Sequence, residues 1–268
     1  MLRYYGESTH VLKAGGSPVT AADLDANAFL VESIGAAWPG EPVRAEESAE
    51  EAGRAGAETL WVVDPLDGTR EFLSRNGEFS VMVGFVVRGE PVVGAVYLPA
   101  RGLLYGAASG SGAWAETDAG ARRALQCVKP DASRLRMVGS RSHADPLLGQ
   151  LQRALGITDV APSGSVGIKC ALIAEGLRDL YIHPVPYLKE WDTCAPEILL
   201  RAAGGEVTDC LGQRLRYNKA NAAQPHGIVA SEKSLHAQVI ERITPLYAAA
   251  LRERGAQRGQ HTGSGEGA

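Results

Sequence analysis

The stretch Trp61-Val62-Val63-Asp64-Pro65-Leu66-Asp67-Gly68-Thr69 constrains this chain more than any other. A short apolar run bounded by a charge reads as a buried strand. Proline cannot donate to a sheet ladder and restricts the residue before it, so the strand is expected to stop at Asp64-Pro65. Asp67-Gly68 then reads as a turn. Two carboxylates are thereby held at the rim of a core strand beside the Thr69 hydroxyl. Carboxylates and backbone carbonyls suit hard divalent cations such as Mg2+. The same string also satisfies plain turn chemistry, in which Asp, Pro and Gly dominate, so the rest of the chain has to decide.

Length and charge narrow the field. A chain of 268 residues can bury one large core or two subdomains that share an interface. Its net charge of −4, with acids and bases interspersed, argues against coating a nucleic-acid polymer or a membrane surface. No apolar run approaches a bilayer span, and Met1-Leu2-Arg3-Tyr4-Tyr5-Gly6 lacks the apolar stretch of a secretory signal. Cys127, Cys170, Cys194 and Cys210 are scattered without metal-ligand spacing, as expected for reduced thiols in a cytoplasmic protein.

Along the chain, residues 1–12 look like the tail of a helix, and Gly15-Gly16-Ser17-Pro18 forces a loop. Thr20-Ala21-Ala22-Asp23 fits a capping pattern before Leu24, Ala28 and Val31 on one helical face, so Asp23 has a structural reading as well as a chemical one. Pro42–Ala45 is a short strand running into Glu46-Glu47-Ser48. The small, acidic segment from Ser48 to Glu58 reads as a surface loop or a poorly packed helix. Phe79 to Leu98, broken at Arg88-Gly89-Glu90-Pro91, is a hairpin, extended by strands near 103–105 and 113–115.

The second half reads as a strand near 135–139, helices near 146–155 and 166–175, a strand near 180–183 and a helix over 192–203 stopped by Gly204-Gly205. A closing strand at 227–230 then leads through a Ser231 cap into a last helix with a break or kink at Pro245. Three parts follow. An N-terminal α+β subdomain spans 1–128, a C-terminal α/β subdomain spans 129–253, and a polar, Gly/Ser-rich tail expected to be disordered spans 254–268.

Glu46, Asp64, Asp67 and Asp192 each lie where a strand or loop ends or a helix begins. Singly, such acids are more often structural; Asp192 alone would be a helix N-cap. Together, with Thr69 and Asp23 beside them, they suit phosphate-ester hydrolysis. That reaction needs positive charge on the phosphoryl oxygens and a deprotonated water. Two metal ions roughly 3.5–4 Å apart supply both.

Glu46-Glu47-Ser48, the 61–69 stretch and Trp191-Asp192-Thr193 through Gly204-Gly205 resemble the inositol monophosphatase superfamily of Mg2+-dependent, lithium-sensitive phosphatases. Within it, four further stretches resemble the 3′(2′),5′-bisphosphate nucleotidases. These are Ser17-Pro18-Val19-Thr20-Ala21-Ala22-Asp23, Arg70-Glu71-Phe72, Ser140-Arg141-Ser142-His143 and Lys189-Glu190-Trp191-Asp192-Thr193-Cys194-Ala195-Pro196-Glu197. The resemblance implies an α+β fold of the layered α/β/α/β/α sugar-phosphatase type, with two sheets packed between helices. It implies two or three Mg2+ ions: Glu46, Asp64 and the Leu66 carbonyl for the first, Asp64, Asp67 and Asp192 for the second, and a weaker third near Glu46. Asp23 and Thr69 would draw the proton from the attacking water, and the amides of Gly68 and Thr69 would meet the phosphate.

For the substrate, the resemblance implies a pocket lined by Ser140, Arg141, Ser142, His143, Gly164, Ser165 and Lys169. Departures include a short segment before Ser17, Gly15 where relatives often carry an aspartate, and Glu190 beside the Trp-Asp pair. Glu190 bears on local charge and substrate preference. The expected reaction is removal of the 3′-phosphate from adenosine 3′,5′-bisphosphate, giving AMP and phosphate, by a cytoplasmic, lithium-sensitive monomer or homodimer. The alternatives are an inositol or sugar phosphate phosphatase and, in a different class, a silent nucleotide-binding protein.

Overall fold

The computed structural model describes residues 1–6, 10–13, 16–49, 56–142 and 145–262, the last eight by backbone alone. The first elements are a small antiparallel hairpin, β1 (His10–Leu12) and β2 (Pro18–Thr20), and helix α1 (Ala21–Ala37). α1 begins where it does because Thr20 Oγ1 accepts from Ala22 N at 3.1 Å while Asp23 accepts back from Thr20 N at 2.7 Å, a reciprocal capping box.

The first large sheet runs in the order β3 (Val43–Ala45), β4 (Thr59–Asp67), β5 (Ser80–Val87), β6 (Glu90–Leu98), β7 (Leu103–Ala108), β8 (Gly112–Thr117), β9 (Arg122–Leu125), with the short helix α2 (Thr69–Leu73) after β4. Only β3 and β4 are parallel; the other pairs are antiparallel. In β5, buried and half-buried residues alternate strictly, the period-two signature of a sheet with one face against the core.

The second sheet has the order β11-β10-β12-β14-β13. Its elements are β10 (Arg136–Ser140), helix α3 (Pro146–Leu155), β11 (Asp159–Ser163), helix α4 (Val166–Ala174), β12 (Leu180–His183), helix α5 (Glu190–Ala202), β13 (Gly205–Thr208), β14 (Ile228–Glu232) and helix α6 (Lys233–Thr262). α4 and α5 lie between the sheets, α1 covers the outer face of β3–β4, and α3 with α6 covers the second sheet. The order α/β/α/β/α matches the layered α+β fold expected from the resemblance. Gly84 lets α5 sit tight on the first sheet: a Cβ there would lie 2.4 Å from Cys194 Sγ.

Several local expectations are corrected. The described residues of 1–12 are not a helix tail: Leu2–Tyr4 is a 3-10 turn and 10–12 a strand, with the Tyr5 ring packed on Phe72 and Phe79. β4 does not stop at Asp64-Pro65. A register shift between Asp64 and Asp67 accommodates the proline without a donor, and pairing resumes at Asp67 opposite Ser80. Ser231 belongs to β14 rather than capping α6. The Glu232 carboxylate takes that place, accepting from Ser234 N at 2.9 Å. β11 and β13, which the sequence reading passes over, are the two edges of their sheet, where a proline-containing or short strand is tolerated. α6 continues past Arg254, the expected start of the tail, to Thr262. Residues 50–55, within the acidic stretch, lie outside the described residues.

Candidate metal centre and substrate cleft

The end of β4 and the first turn of α5 bring carboxylate oxygens of Asp64, Asp67 and Asp192 within 4.8 Å of one another. Each acid is held from behind. Asp64 Oδ1 accepts from Leu66 N at 3.0 Å, a bond made by the same irregularity that passes Pro65. Asp67 Oδ2 accepts from Ser165 Oγ at 2.6 Å and from Gly167 N at 3.1 Å, so the opening of α4 fixes it. Asp192 Oδ2 accepts from Lys189 N at 2.5 Å, which makes it the third residue of α5 rather than its N-cap. Ser165 reaches Asp67 with its backbone in the left-handed region, φ 52°. Such strain collects where a structure needs a side chain in one position.

Burial is the largest influence on all three carboxyls and pushes each upward from the ordinary aspartate range. For Asp64 the neighbouring charges of Glu46, Asp67 and Asp192 add to it, and for Asp192 those of Asp67 and Glu46. For Asp67 burial outweighs the attraction of Lys169. Glu46 borders the same cleft and is likewise raised by burial. Its Oε1 accepts from Lys13 Nζ at 2.8 Å, and the same ammonium also bonds Glu47.

Thr69 and Asp23 meet on the same wall: Thr69 Oγ1 donates to Asp23 Oδ1 at 3.1 Å. Asp23 therefore serves both readings, since its other oxygen caps α1. The turn that aims Thr69 requires glycine. Gly68 has φ 102°, and a Cβ there would lie 3.0 Å from Glu78 O. Glu46, Asp64, Asp67, Asp192, Gly68 and Thr69 border one cleft of about 450 Å3, shared with Leu66, Ser140, Gly164, Ser165, Lys169, Tyr181, His183 and Trp191, while Asp23 lies buried behind Thr69.

The expected substrate residues divide. Ser140, Gly164 and Ser165 border the cleft. So does Lys169, which is buried rather than on the surface. Its Nζ lies 3.4 Å from Ser163 O and 5.1 Å from the centroid of the Tyr181 ring, and burial lowers its pKa. Arg141 turns away, bonding both Glu78 carboxylate oxygens at 2.7 and 2.6 Å, and Ser142 donates to Glu71. His143 lies outside the described residues. Glu190 is corrected outright: fully buried, its carboxylate accepts from Arg44, Asn218 and Lys219 and does not border the cleft.

Comparison with known proteins decides the family, because the inositol monophosphatase family matches residues 2–246. The chain belongs to that family. Similar members include the 3′(2′),5′-bisphosphate nucleotidase CysQ of Escherichia coli strain K12, 40% identical over 208 residues that span 77% of this chain and 82% of that protein. The CysQ of Aggregatibacter actinomycetemcomitans is 36% identical over 220 residues, 81% of each chain. Among solved structures, CysQ from Bacteroides thetaiotaomicron, a bacterial member of the family, is 35% identical with a TM-score of 0.71, covering 87% of this chain and 92% of that one.

Enzymes of the inositol monophosphatase family use divalent metal ions, and the residues present fit such ions. The donors are all oxygen, the three carboxyls repel one another, and buried Asp64 Oδ2 finds no hydrogen-bond partner among the described residues. The sequence reading missed Lys13 and the hold of Ser165 on Asp67, because both are contacts made across the fold. Arg44 did leave a signal, a charge inside the apolar strand Val43-Arg44-Ala45, and a buried charge has to be paired.

Proposed function

We propose that this chain is a Mg2+-dependent phosphomonoesterase that hydrolyses the 3′-phosphate of adenosine 3′,5′-bisphosphate to AMP and phosphate. The carrying observation is the cluster of Asp64, Asp67 and Asp192 in one cleft with Thr69, whose hydroxyl bonds the buried Asp23. Asp64, Asp67 and Asp192, with Glu46 and the Leu66 carbonyl, would hold two or three ions. Bound divalent ions supply positive charge against phosphoryl oxygens and acidify water.

The chain's own groups do the rest. The Thr69 hydroxyl donates to Asp23, so its oxygen lone pairs can take a proton from a water in the cleft while its own proton passes to the Asp23 carboxylate, which becomes the neutral acid as the water becomes hydroxide. The Gly68 and Thr69 amides face the phosphate being cleaved. Lys169 offers a buried cation to a second phosphate, held in place by the Ser163 carbonyl and the Tyr181 ring. The choice of nucleotide over other phosphate esters is supported by the nucleotidase names of the CysQ relatives. The proposal includes inhibition by Li+ and a cytoplasmic monomer or homodimer; no helix among the described residues is long and apolar enough to cross a membrane.

The test is phosphate release from adenosine 3′,5′-bisphosphate, AMP, a sugar phosphate and myo-inositol 1-phosphate, each titrated with Mg2+. Turnover of the bisphosphate first, lost on chelation, is expected. Preference for inositol phosphate would move the reading to that substrate class, and nucleotide binding without turnover would overturn catalysis.

A further inference from the structure

Arg44 and Glu190 form an ion pair with almost no contact with solvent: Nη1 to Oε2 is 2.6 Å, and the side chains are 2% and 0% exposed. The pair is closed by main chain. Arg44 Nη2 donates to Lys219 O at 2.8 Å, while the Glu190 oxygens accept from Asn218 N and Lys219 N, each at 3.0 Å. A buried pair of this kind is often no more stabilising than apolar residues of the same volume, whereas removing one partner alone leaves an uncompensated charge. Stability therefore does not explain why two charges are placed here.

Their position suggests what they do. Arg44 lies in β3, and Glu46 lies two residues on, in the turn that leaves that strand. Glu190 is the first residue of α5 and Asp192 the third. The pair thus ties the segment carrying Glu46 to the helix turn carrying Asp192, across 146 residues of sequence. A guanidinium fixes direction as well as distance, because its planar fork engages Glu190 and Lys219 O together.

We infer that the Arg44–Glu190 pair is a positioning device that sets how closely Glu46 and Asp192 approach the Asp64–Asp67 pair, and so sets the affinity of the centre for a divalent cation. The inference rests on the reading that these acids hold cations, not on the identity of the phosphate ester.

The test is calorimetric titration of the metal-free protein with Mg2+, well below its melting temperature. Wild type would be compared with Arg44→Met, Glu190→Gln, the double variant and the conservative Arg44→Lys. Each disruptive single change is expected to weaken Mg2+ binding about 10- to 100-fold, the usual effect of removing a group that orients a metal ligand. The double variant should be no weaker than the worse single one, Arg44→Lys should fall between, and kcat at saturating Mg2+ should stay within about threefold of wild type, since the pair would act through metal affinity. Circular dichroism and the metal-free melting temperature report folding separately, and Arg44→Lys decides the matter if Arg44→Met does not fold. Lower melting temperatures with Mg2+ affinity unchanged, or additive losses in the double variant, would overturn the inference. A wild-type protein that bound no Mg2+ would overturn the cation reading together with it.

Discussion

The Thr69 hydroxyl donates to Asp23, 46 positions earlier in the chain, at 3.1 Å, while the other Asp23 oxygen caps the helix that Asp23 helps to begin. One carboxylate thus links a hydroxyl in the cleft to the N-terminus of α1. A single substitution here has two separable consequences.

Asp23→Asn and Thr69→Val should each lower kcat by about 10²- to 10⁴-fold, the range of general acid–base assistance, with Mg2+ affinity nearly unchanged. The double variant should be little slower than either alone, because the pair acts as a unit. Asp23→Asn should also lower stability by about 1 kcal/mol through the weakened cap. Single-turnover kinetics and thermal melts on the same preparations separate the two effects.

In EDTA the three clustered aspartates should destabilise the protein as pH rises. Their folded pKa values are raised, so the folded state binds more protons above the ordinary aspartate range, and stability falls with increasing pH. Saturating Mg2+ should flatten that slope and add about 2.7 kcal/mol at a hundredfold excess over Kd. Asp64→Asn should raise the metal-free melting temperature while abolishing the shift produced by Mg2+. A melting temperature independent of pH in EDTA would contradict the repulsion argument.

Lys169→Met should raise KM for the bisphosphate about 10- to 100-fold, the worth of a hydrogen bond to a charged group, and leave KM for a nucleoside monophosphate within about threefold. The metal-free protein should be somewhat less stable, since the ammonium that offsets Asp67 is lost from among mutually repelling carboxylates. Equal losses on both substrates would place Lys169 outside the second-phosphate role.

Two buried groups away from the cleft should give opposite pH slopes. Burial raises Glu197 to about 7, although Tyr217 donates to it at 2.6 Å. Its folded pKa exceeds the unfolded value, so stability falls as pH rises from about 4.5 to about 7, by on the order of 3 kcal/mol. His236, held between Thr208 and Ser231, is lowered to about 4 by burial. It stays neutral in the fold, so stability is lost as pH falls from about 6.5 towards 4. Glu197→Gln and His236→Gln should each remove one slope, read by denaturant titration at closely spaced pH values.

Much of the molecule was legible in its residues because the signals are local. The Thr20–Asp23 capping box, the alternation of β5 and the Asp-Pro-Leu-Asp-Gly-Thr string depend on neighbours a few positions away. They placed α1, the central hairpin and the acids Asp64 and Asp67 at a strand end. Local signals also misled: a proline that ends most strands was passed by a register shift, and an N-terminal segment that reads as helix became a 3-10 turn and an edge strand.

What the fold alone decided are the contacts between segments far apart in the chain. No pattern near Glu190 says that its carboxylate turns inward to Arg44 and two backbone amides, nor that Arg141 turns to Glu78. Nor does a lysine one turn into α4 announce that it will be buried over the Tyr181 ring. A residue type and its spacing fix which groups are available, since they follow from covalent geometry and local propensity. Which of those groups face the cleft, and which are used up in pairs behind it, depends on how two sheets and the helices between them close on one another, because a buried charge takes whichever partner the packing brings to it.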